Sequence, residues 1–274
     1  MISNKSKLLN QRAESKHKKM EFSANLGFLW NKLPFTTAIH AAKEAGFDAV
    51  ECHWPYDTPS EEVAKALKET ELKMIGLNTR RGNVQAGENG LAALIGREEE
   101  ARRAIDEAVT YANEINALNI HVMAGLASGV EAQNTFISNL RYACRIAGLH
   151  DVNILIEPLN TKDTPGYFLT TTTHALDIIK TVNCDNLKLM FDCYHIQLMQ
   201  GNLNNLLKDL LPYIGHIQFA SVPHRGGPAD GEINFKDLFL TIKELGWKQP
   251  LGAEYEPKGD TEETLNWLYE AKLL

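Results

Sequence analysis

The chain has 274 residues, 44% of them hydrophobic, with 28 lysines and arginines against 35 aspartates and glutamates. That suits a single α/β barrel, whose usual size is roughly 250 residues. The net charge of −7 disfavours general binding to phosphate backbones, and no apolar run approaches the roughly 18 residues of a membrane span, so neither nucleic acid nor membrane is an expected partner.

Residues 1–19 stand apart. MISNKSKLLNQRAESKHKK is basic and lacks the apolar core of a secretory signal. It reads as a disordered extension, or as an upstream start with Met20 the true beginning, leaving 20–274 as one catalytic domain. Strands are expected at 20–26, 47–53, 72–79, 119–125, 153–160, 187–195, 215–221 and 251–257. Several are near-continuous apolar runs, the mark of parallel strands buried on both faces. Helices are expected between them at 34–46, 59–71, 97–118, 131–149, 172–182, 203–210, 235–245 and 261–272. The second has Ser60 and two acids at its start, an N-terminal signature. Eight strands alternating with eight helices is the count of a (β/α)8 TIM barrel. A doubly wound sheet would carry a glycine-rich phosphate loop after the first strand, where GFLWNKLPF stands instead. Loops 80–96 and 222–234 are the longest, on the side where they can cover a site. Cys52, Cys144, Cys184 and Cys193 form no C-x-x-C pair and read as free thiols of a cytoplasmic protein.

Strand C-terminal ends line the active site of such a barrel. The last four offer Glu157, Asp192, Gln218 and Glu254 at one mouth. A lone strand-end glutamate is commonly a cap or a surface charge. Three carboxylates buried without a partner would cost several kcal/mol each, and a divalent cation removes that penalty. Oxygen-only ligands favour Mg2+ or Mn2+ over Zn2+. Glu256 shares the face of Glu254 nearer the rim. His53 closes the second strand as a candidate substrate contact, and Trp30 is a candidate pocket wall. His121 reads as a core histidine and His174 as structural.

These residues also carry a resemblance. NLGFLW, HVMAG, IEPLN, FDCYH, HIQFASVP, PADGEINF and GAEYEP, in order from about Met20 to the last helix, resemble the hydroxypyruvate isomerase family. That family is one of the xylose-isomerase-like barrels, which include ketose 3-epimerases and endonuclease IV. The resemblance implies that Glu157 and Glu254 are paired catalytic glutamates that also touch the metal, with Asp192 and Gln218 completing the ligand set. It implies substrate contacts at His195 and Arg225, with His224 beside the latter. Arg80 and Arg81 are carboxylate clamps by position only. The activity implied is metal-dependent aldose–ketose isomerisation, hydroxypyruvate to 2-hydroxy-3-oxopropanoate, through enediolate proton transfer between two glutamates or a hydride shift. A 2-oxo-tetronate isomerase or a ketose 3-epimerase are the alternatives. A nuclease would want histidine-rich zinc ligands and a basic groove, and an inactive scaffold would not keep a full ligand set. The expected partner is a small oxo-acid, and a homo-oligomer is compatible with the sequence.

Overall fold

The computed structural model describes residues 19–229 and 231–274. The extension expected at 1–19 lies almost wholly outside the described residues. Eight parallel strands follow the expected order: β1 Phe22–Asn25, β2 Ala49–Glu51, β3 in two pieces at Lys73–Met74 and Gly76–Asn78, β4 Asn119–His121, β5 Asn153–Ile156, β6 Leu187–Asp192, β7 Ile214–Phe219 and β8 Leu251–Ala253. β1 pairs with both β2 and β8, and the chain of pairings runs on through β7, β6, β5 and β4. The break at Ile75 lets one strand serve both ends of the sheet. Lys73–Met74 pairs with β2 and Gly76–Asn78 with β4, while Asn78 N donates to His53 O at 2.8 Å. That closes the barrel and leaves no free edge.

The helices are α1 Phe35–Glu44, α2 Ser60–Thr70, α3 Glu98–Glu114, α4 Gly129–Ala147, α5 Thr172–Val182, α6 Cys193–Met199, α7 Leu203–Leu210, α8 Phe235–Glu244 and α9 Asn266–Ala271. Ser60 is the first helical residue of α2 and not its cap, since Pro59 holds the cap position. The last expected helix is split into a short 3-10 turn, Thr261–Thr264, followed by α9. α6 falls where the sequence suggested the end of a strand. Asp192 accepts a hydrogen bond from Tyr194 N at 2.8 Å, as an N-cap does, and turns the chain from strand to helix.

Between strands and helices the core is aromatic: Phe22 meets Trp267 at 5.3 Å and Phe219 meets Phe239 at 5.1 Å, both edge to face. Alternation puts the strand neighbours of Phe22 and Phe219 inside the barrel. There the interior is polar near the mouth. Ser23, Asn25, Glu51, His216 and Gln218 form a buried, hydrogen-bonded layer beneath the mouth.

Candidate active site

Glu157 and Glu254 each follow the last residue of their strand, Asp192 ends β6, and Gln218 lies one residue before the end of β7. The β6–β7 register shifts between Leu189 and Met190, after which Asp192 stands directly opposite Gln218. All four are at most 6% exposed. Asp192 Oδ1 is used by the cap, while Oδ2 lies 3.6 Å from His195 Nε2 and 3.7 Å from Arg225. Glu157 Oε1 is 3.8 Å from the same His195 nitrogen, and Oε2 is 3.5 Å from His121 Nδ1. Glu254 has partners on both oxygens. Its Oε1 accepts from Asn25 Nδ2 at 3.0 Å and contacts His53 Nε2 at 2.8 Å, and Oε2 accepts from Arg225 at 2.8 Å.

The two glutamates therefore differ in charge preference. Burial pushes the Glu157 carboxyl well above the usual range, and the charges of Glu254 and Asp192 push it further. Burial followed by the charge of Glu254 raises Asp192 to about 8. Burial works in the same direction on Glu254, but Arg225 and His53 overcome it and hold that carboxyl below its ordinary value. Three carboxyls face one guanidinium, so the fully ionised cluster carries an excess of two negative charges. Glu157 Oε1, Asp192 Oδ2 and Gln218 Oε1 are buried acceptors without hydrogen-bond partners. That surplus of charge and of unsatisfied oxygen fits a hard divalent cation.

Possible ligand atoms of Glu157, Asp192 and His195 lie within 4.8 Å of one another. His195 is nevertheless better described as a donor. Asn160 N donates to its Nδ1 at 3.1 Å, so the neutral ring carries its proton on Nε2, facing the two carboxyls. Burial, followed by the charge of Arg225, lowers its pKa to about 3 and keeps it neutral.

Arg225 has a left-handed backbone (φ 51°), and its guanidinium lies over the rings of Phe28 and Tyr194 at 4.8 and 5.0 Å. Such a conformation is costly for a non-glycine residue and is maintained by surrounding contacts; here it aims the side chain at Glu254. His53 joins the cluster through the same carboxylate. His224 is exposed on the turn. Arg80 turns outward and pairs with Glu107 at 2.7 Å, away from the carboxyls. Arg81 stacks on Trp54, its Cζ 4.0 Å from the ring centroid, and has no carboxylate partner among the described residues. Glu256 is exposed, and Trp30 packs on Phe47 and bonds to Glu262, so neither reaches the cluster.

Sequence reasoning passed over Glu51 and His216, and gave His121 only a core role. The signals were present: a charge in the apolar run DAVEC, and a histidine two residues before Gln218 on the same strand face.

A barrel with strand-end carboxylates of this kind defines a class, and comparison with known proteins agrees. The chain belongs to the xylose isomerase-like TIM barrel family, whose profile matches residues 39–271. Within that class it is similar to hydroxypyruvate isomerase of Escherichia coli, 38% identical over 91% of this chain and 98% of that one. It is also similar to 2-oxo-tetronate isomerase of Pectobacterium atrosepticum, 40% identical over 90% and 96%. A crystal structure from Brucella melitensis, described as an AP endonuclease of family 2, superposes with a TM-score of 0.89 at 38% identity, covering 92% of this chain and 98% of that one. The protein is an isomerase.

Proposed function

We propose that the protein interconverts aldose and ketose forms of a small hydroxy-oxo acid, hydroxypyruvate first and a four-carbon 2-oxo-tetronate second, with a divalent cation held by Glu157, Asp192, Gln218 and Glu254. The observation that carries this is the trio of buried, unpartnered oxygens on Glu157, Asp192 and Gln218. The names of the relatives supply the substrate class.

A Mg2+ or Mn2+ held by these residues would supply Lewis acidity to the substrate. Glu254, kept ionised by Arg225 and His53, takes the carbon-bound proton from the hydroxymethyl carbon. Glu157 delivers a proton to the neighbouring carbon. The hydroxyl proton passes between the two substrate oxygens, beside the Nε2–H of His195. The substrate carboxylate takes the candidate guanidinium that has no carboxylate partner among the described residues. Arg225 is committed to Glu254 and Arg80 to Glu107, which leaves Arg81.

The test is a panel. Metal-loaded protein is given hydroxypyruvate, a 2-oxo-tetronate, a free ketose and an abasic-site DNA. Turnover of one or both oxo-acids supports the assignment, and turnover of the ketose or the DNA alone overturns it.

A further inference from the structure

Beneath the cluster lies a fourth buried carboxyl with no part in the chemistry above. Glu51 ends β2 and is 3% exposed. Its Oε2 accepts from Ser23 Oγ at 3.2 Å and meets His216 Nε2 at 2.5 Å. Its Oε1 accepts from Asn25 Nδ2 at 3.2 Å and from Gln218 Nε2 at 3.0 Å. Asn25 also donates to Glu254, so the lower layer and the cluster share a hydrogen-bonded residue. The close approach depends on Gly252, the register partner of Gln218. A Cβ there would fall 2.6 Å from Glu51 Oε1 and 2.8 Å from Gln218 Cγ.

A primary amide has a donating edge and an accepting edge. Ser23 Oγ, Asn25 Nδ2 and Gln218 Nε2 all donate to Glu51, so Gln218 faces it with its NH2 edge. The other edge is then an acceptor, and Gln218 Oε1 is indeed buried without a partner. Leaving such an atom unsatisfied is unfavourable, and a cation at the cluster relieves it. We infer that Glu51 is a positioning residue: it fixes the Gln218 amide with its oxygen as the free end, presenting an acceptor to the divalent cation. The His216 and Ser23 contacts on the far oxygen hold Glu51 for that task. The inference rests on the assignment of Gln218 as a ligand under the proposed function.

The experiment measures Mn2+ affinity by titration calorimetry on the full chain, with folding followed by circular dichroism. Asp192→Asn marks the site, and its loss of Mn2+ locates the ion at the cluster. Glu51→Leu is expected to weaken Mn2+ binding about 10- to 100-fold, the usual effect of removing a group that orients a ligand. In a Gln218→Met background the same substitution is expected to cost less than about threefold, because the residue it acts through is gone. A residue needed only for packing would lower affinity equally in both backgrounds. If Glu51→Leu does not fold, the cycle is run with Glu51→Gln, which accepts from one pair of donors instead of two, and a loss of about tenfold is expected. Wild-type affinity in the folded Glu51 variants, or equal losses with and without Gln218, overturns the inference and leaves the proposed function standing. No Mn2+ binding by the wild type, or binding that survives Asp192→Asn, overturns both.

Discussion

Glu157 and Glu254 have the same side chain at equivalent strand ends, and their surroundings separate them. Glu254 is held by a guanidinium, an imidazole and an amide, whereas Glu157 has one oxygen without a partner. A base that must be ionised and an acid that must hold its proton have those two environments. Glu157→Gln and Glu254→Gln keep size and shape and remove the proton traffic. Each is expected to lower kcat by about 10²- to 10⁴-fold with a smaller change in KM, measured in steady state with hydroxypyruvate. Near-wild-type turnover in both variants would sink the assignment. Arg81 makes a separate prediction. Loss of a charge-assisted contact worth about 1.5–3 kcal/mol raises KM roughly 10- to 100-fold. Arg81→Met should show that rise for hydroxypyruvate and not for its neutral amide. A rise for both would point to disruption of the loop, and no rise for either would return the carboxylate to another cation.

The strand ends are the elements that matter, and they tolerate little crowding. At Gly252 an added methyl meets Glu51 and Gln218 inside contact distance. Gly252→Ala is expected to cost about 1–3 kcal/mol as an overpacked core, read as a lower Tm and weaker Mn2+ binding together. Gly148→Ala, where a new Cβ meets only the Asn186 amide at 3.5 Å, is the control and should change neither much. The elements themselves were legible in the sequence, since strand and helix periods differ and the chain alternates them. Glu157, Asp192, Gln218 and Glu254 were legible because each stands at or next to the end of an apolar run. Helix α6 was not, because the apolar character of FDCYHIQLM suits a strand as well as a buried helix and only the Asp192 cap decides between them. The pairing of Glu51 with Gln218 was not legible either. Those residues are 167 positions apart, and only closure of the barrel brings them to 3.0 Å. The outward turn of Arg80 depends on Glu107 of α3, a contact that position after a strand does not reveal.

At the scale of the whole molecule, no helix among the described residues is long and apolar enough to cross a membrane. The closed barrel holds three carboxyls in one buried place, so its stability depends on pH and metal jointly. Asp192 is raised to about 8 in the fold against an ordinary 3.8. Between those values the folded protein holds a proton that the unfolded chain has released, so stability from this group falls as pH rises toward 8. A cation competes with that proton for the same oxygen, so metal binding strengthens over the same interval. At Mn2+ 100-fold above its Kd the fold gains about 2.7 kcal/mol, or roughly 5–11 °C in Tm for a chain of this size. Differential scanning calorimetry at a fixed Mn2+ concentration should therefore give a larger Tm rise at pH 8 than at pH 6. The metal-free protein should lose Tm over that interval, and Asp192→Asn should abolish the Mn2+ effect at both pH values. A rise in Tm that is the same at both, or that persists in Asp192→Asn, would mean the cation binds somewhere other than the barrel mouth.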